Sequence, residues 1–98
     1  MAGGNRLQIS SRFTIAVHML AYISMYGEKE KVTSEILSGS IQVNPVIIRR
    51  LLSRMKTAGL ITVARGSGGA LLAKKEGEIT FLDICRAVDA VHADGLFH

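Results

Sequence analysis

Residues 44–59 read Asn44-Pro45-Val46-Ile47-Ile48-Arg49-Arg50-Leu51-Leu52-Ser53-Arg54-Met55-Lys56-Thr57-Ala58-Gly59, and this stretch decides the fold class. Asn suits a helix N-cap because its side-chain oxygen accepts from an early N–H, and Pro suits the first helical position, where no donor is needed. At the far end Gly59 offers a left-handed stop. Between them, at about 100° per residue, Ile48, Leu51, Leu52 and Met55 share one face, while Val46, Arg49, Arg50, Ser53, Lys56 and Thr57 share the other. The pattern predicts an amphipathic helix over 45–58 with a cationic outer face.

Working outward toward the N-terminus, Thr33 or Ser34 caps a short helix holding Glu35, Ile36 and Leu37, which Gly39 is expected to end, leaving 40–43 as a tight connection. Before it, Ser10 or Ser11 caps a helix reaching Tyr26. That helix is apolar most of the way round, as expected of an element in a core or at a subunit contact. Toward the C-terminus, Leu60–Ala64 and Ala70–Ala73 are rich in strand formers, and Arg65-Gly66-Ser67-Gly68-Gly69 between them makes a hairpin turn. Thr80 then caps a last helix whose apolar positions are Phe81, Leu82, Ile84, Cys85 and Val88 and which ends near Asp89 or beyond. Helix, short helix, turn, basic helix and hairpin in that order describe an α+β chain, mostly α: a winged helix-turn-helix with a two-stranded wing.

The chain has 98 residues, enough for one domain over 1–98, and a formal charge of +4 that is unevenly spread. No Asp or Glu stands between Glu35 and Glu76, a gap that holds Arg49, Arg50, Arg54, Lys56, Arg65, Lys74 and Lys75. That segment is +7 and the remainder −3. A focused positive face attracts phosphates, whereas the plainer reading is a solvated basic surface. The single cysteine, Cys85, permits neither an internal disulfide nor a cysteine cluster, and a reducing, cytoplasmic setting follows. The longest apolar stretch, Phe13–Tyr26, is shorter than a membrane span needs, and the start MAGGNRLQISSR lacks the plan of a signal peptide.

The candidate DNA contacts are Arg12, Asn44, Val46, Arg49, Arg50, Ser53, Arg65, Ser67 and Gly68. Arg49 and Arg50 lie near the start of a helix that fits a major groove, where Arg pairs bidentately with guanine. Val46 either touches a thymine methyl or packs on the preceding helix. Arg65 at a glycine-rich tip suits a minor groove or a phosphate, with Ser67 and Gly68 letting the tip come close. Arg12 suits a phosphate, and Lys74 and Lys75 suit diffuse attraction. Cys85 reads as a buried structural thiol and His18 as an interior histidine, while His92 and His98 have no scaffold for a metal. No metal or other cofactor is expected. Catalysis is excluded by the absence of a nucleophile, base and orienting group, and the glycine run joins two strands without the GK[ST] of a phosphate loop. The rival reading is a winged-helix protein-interaction module without sequence-specific DNA binding.

Three segments together, ISSRFTIAVHMLAYIS, NPVIIRRLLSRMKTAGLITVARGSGGALLAKK and EITFLDICRAVD, resemble the Rrf2 family of bacterial transcription regulators over residues 7–89. The AGL-strand-RGxGG wing followed by the ITFLDICRAVD helix is the specific part. The resemblance implies a winged-helix repressor that binds partly palindromic promoter DNA as a homodimer, and the first helix, the last helix and the family's further C-terminal part are the expected dimer surfaces. Several family members hold a [2Fe-2S] cluster through cysteines beyond the last helix, but the NPVxxRR form resembles a subgroup without one. The sequence stops at His98, before the long dimerisation helix and the cysteine-bearing segment of family members, so a truncated chain or a short member is expected. No cluster ligand transfers to any position here, and a small-molecule or redox signal is left open.

Overall fold

The computed structural model describes residues 11–66 and 68–96, and for 89–96 the backbone only. Helix α1 spans Ser11–Tyr26, α2 Ser34–Ile41, α3 Pro45–Thr57 and α4 Phe81–Leu96. Strands β1 (Ile61–Val63) and β2 (Ala70–Leu72) lie between α3 and α4, and a 3₁₀ turn covers Glu76–Glu78. This is the winged helix-turn-helix order that the sequence predicts.

Both ends of α3 are fixed by local chemistry. The Asn44 Oδ1 accepts from the Val46 N–H at 2.7 Å, and Pro45 follows as the first helical residue. Gly59, at φ +82°, donates to Lys56 O at 3.0 Å, and Leu60 donates to Met55 O at 2.9 Å. These two bonds satisfy carbonyls that the helix end would orphan and turn the chain straight into β1.

Helix α2 begins as expected, with Thr33 Oγ1 accepting from the Ile36 N–H, but Gly39 does not end it. The helix continues to Ile41, and Gln42 takes the left-handed conformation at φ 64°. Ser38 accounts for the difference: its carbonyl accepts from the Gln42 and Val43 N–H groups, and its hydroxyl donates to Val43 O at 2.6 Å. With Ile41 packed against the core as well, these contacts outweigh the stop propensity of one glycine.

One core joins all the elements. Met19 and Ile23 of α1 meet Leu37 of α2, Ile48, Leu51 and Met55 of α3, Leu60 and Ile61 at the start of the hairpin, and Ala87 and Val88 of α4. On α4 the stripe facing inward is Ile84, Ala87 and Val88, spaced i, i+3, i+4. Phe81 and Leu82, expected among the apolar contacts of this helix, stand 65% and 53% exposed because they precede that stripe. The Phe81 ring meets Phe13 of α1 at 4.9 Å between centroids. His18 is exposed rather than interior, and Cys85 is half-buried rather than fully enclosed.

The wing is a two-stranded antiparallel sheet with Ile61 opposite Leu72 and Val63 opposite Ala70. Gly66 and Gly68 turn the tip at positive φ. Next to the turn, Ala70 donates to Val32 O at 2.9 Å, tying the hairpin to the segment before α2. Gly69 permits that approach, since a Cβ there would stand 3.1 Å from both Lys31 Cα and Val32 N.

Candidate nucleic-acid interface

The route from sequence to site runs through the caps of α3. They set the direction of its outer face, and the closure at Gly59 places the wing beside it, leaving an open cleft of about 490 Å³ between α2, α3 and the hairpin. Thr33, Glu35, Arg49, Ser53, Lys56 and Gly68 are among its lining residues.

Of the candidate contacts, the cleft brings together Arg49, Ser53 and Gly68. Val46 and Arg50 are exposed on α3, and Arg65 is exposed in the wing turn. Val46, 54% exposed, is not covered by the preceding helix. Asn44 is exposed too, yet its carboxamide oxygen serves as the helix cap, so its amide nitrogen is the group that remains for a ligand. Arg12 sits exposed in the first turn of α1 and does not line the cleft. Ser67 lies outside the described residues.

Three residues that the sequence reading did not count among the candidate contacts also stand here: Glu35 and Lys56 line the cleft, and Ile47 is exposed on α3. Lys56 was legible in principle, being seven positions after Arg49 and so on the same side of the helix. Ile47, 41% exposed, flanks the outer face beside Arg50, where periodicity alone separates a surface residue poorly from a core one. Glu35 reaches the cleft because α2 packs across α3, a tertiary fact with no local signal. Its carboxyl is held below the ordinary range by its own backbone N–H and the Ser34 hydroxyl, with the Arg49 charge adding to the effect. It is therefore an anion at neutral pH within an otherwise cationic cleft. Lys74, counted above as diffuse attraction, instead lies 3.6 Å from Asp83, which offsets part of its charge.

Comparison with known proteins bears on this arrangement. A family model described as Rrf2, iron-dependent transcriptional regulator, matches residues 9–95. YwnA of Bacillus subtilis (strain 168), named as a candidate HTH-type transcriptional regulator, is 42% identical over 80 residues, covering 82% of this chain and 58% of YwnA. The chain thus spans a little over half the length of that curated relative. A solved candidate DNA-binding protein, also 42% identical, superposes with a TM-score of 0.73 over 80% of this chain and 65% of its own. CymR (YrzC), the global cysteine regulator of B. subtilis, is 22% identical and superposes at 0.74 over 83% of this chain and 63% of its own, a likeness of fold.

The family description names iron. Among the described residues no three His, Cys, Asp or Glu side chains come together as a metal site, and the sequence holds one cysteine. The described residues do not fit an iron centre. Nor is any helix among them long and apolar enough to cross a membrane. A match that runs over nearly all of a winged-helix chain decides its kinship: the chain belongs to the Rrf2 family of transcriptional regulators.

Proposed function

We propose that this chain is the sequence-reading part of a cytoplasmic transcription regulator, binding duplex promoter DNA as a homodimer and repressing by occupying it. The observation that carries the reading is the outer face of α3, where Arg49, Arg50, Ser53 and Lys56 stand exposed beside the glycine-tipped wing. A B-DNA major groove, about 12 Å wide, accepts one such helix, and Arg is the side chain that pairs with guanine O6 and N7. Arg65 on the wing supplies a second contact, to backbone or minor groove, and Arg12 a further phosphate contact. Support for the homodimer comes from the large apolar residues left open on α1 and α4, namely Val17, Met25, Phe81 and Leu82.

The test is selection from a random duplex library, followed by binding of the enriched sequence across a salt series. The expected result is a palindrome with half-sites about one helical turn apart and an affinity that falls steeply with salt, because neutralised phosphates release counterions. Absence of enrichment at low salt overturns the reading and favours a protein-docking module.

A further inference from the structure

The groove-facing side of α3 is not uniformly polar. Its first turn exposes two large aliphatic side chains, Val46 at 54% and Ile47 at 41%, on a helix whose other exposed residues are Pro45, Arg49, Arg50, Ser53, Lys56 and Thr57. Scattered apolar residues on a surface need no explanation, but these two are adjacent in the chain, sit on the leading turn, and are followed, after the buried Ile48, by two guanidinium groups. In a helix-turn-helix the N-terminal residues of the second helix are the ones that meet base edges.

Resting on the DNA-reading role proposed above, we infer that Val46 and Ile47 read thymine, by packing on its C5 methyl group in the major groove. The chemistry of the surface selects this occupant. Whatever lies against the leading turn of α3 must offer an apolar group within reach of Val46 and, one turn further on, acceptors and negative charge for Arg49 and Arg50. The major groove offers both, since the thymine methyl stands on its floor among the N7 and O6 acceptors of guanine and between phosphate walls. The minor groove displays no methyl. Arg49 and Arg50 follow Val46 by three and four residues, which on an α-helix is one turn, about 5.4 Å along the axis. With base pairs about 3.4 Å apart, the thymine read by Val46 lies within roughly two base pairs of the guanine read by Arg49 or Arg50.

The experiment replaces thymines in the selected duplex one at a time by uracil, which pairs identically and lacks the methyl. Binding of the whole chain is compared with that of Val46→Ala and Ile47→Ala, each checked for an unchanged circular dichroism spectrum. Removing one buried methyl is expected to weaken wild-type binding about fourfold. The loss should appear at one or two thymines per half-site, and the alanine variants should bind the thymine and uracil duplexes alike at those positions. Sequence-preferring binding that is indifferent to uracil everywhere overturns this inference and leaves the DNA-reading role standing, as does full uracil sensitivity retained by both variants. Failure of the wild type to bind any duplex overturns both.

Discussion

Arg50 and Leu51 are neighbours in the chain with opposite duties. Leu51 is 1% exposed in the shared core, so Leu51→Ala removes buried methyl groups and leaves a cavity, costing about 2–5 kcal/mol. A urea midpoint far below that of the wild type is the expected outcome. Arg50 is exposed, so Arg50→Ala should change stability by no more than about 0.5 kcal/mol while relaxing sequence preference by about 1–3 kcal/mol. Equal effects of the two substitutions on stability would contradict the assignment of faces on α3. This division was legible in the sequence, since the Asn44-Pro45 start and the Gly59 stop set the helix and periodicity sorted its faces. The place of Glu35 was not legible, because a carboxylate on α2 meets the cleft only through the packing of α2 across α3.

At the scale of elements, sequence signals worked where a backbone group had to be satisfied locally and failed where packing overrode them. Thr80 and Asp83 form a reciprocal cap at the start of α4, each side chain accepting from the other's backbone N–H at 3.0 Å. The Thr80 N–H is the main cause of the Asp83 carboxyl lying below its ordinary value of 3.8, helped by the Thr80 hydroxyl and by Lys74. A carboxyl depressed on folding stabilises above its unfolded value and loses that contribution as pH falls through the lower, folded value. The gap in thermal midpoint between wild type and Asp83→Asn should therefore shrink from neutral pH to about pH 2–3, and a gap that stays constant would contradict the cap. The glycines of the wing separate in the same way. Gly66 and Gly68 announce a turn in the sequence, but the need for Gly69 arises from Lys31 and Val32 passing its Cα. Gly69→Ala forces backbone apart and should cost about 1–3 kcal/mol, read by denaturation, with weaker DNA binding as the wing shifts. An unchanged denaturation midpoint would mean that the segment before α2 yields freely.

Over the whole molecule, the sequence divides charge into a +7 segment and a −3 remainder, and the fold turns that division into a geometry. Arg49 and Lys56 line one cleft with the wing, while the exposed apolar residues Val17, Phe81 and Leu82 lie on α1 and α4. The exposure of Phe81 and Leu82 was not legible locally, because a capped apolar helix reads the same whether its first turn is buried or stands clear of the core. The central claim is that the outer face of α3 reads bases, and one comparison tests it most directly. Affinity is measured for the selected duplex and for a scrambled duplex of the same composition, using the wild type and an Arg49→Ala/Arg50→Ala double variant at matched salt. The account predicts that the double variant keeps its fold and residual salt-dependent binding but loses most of the preference for the selected sequence. A double variant that prefers the selected duplex as strongly as the wild type would contradict it.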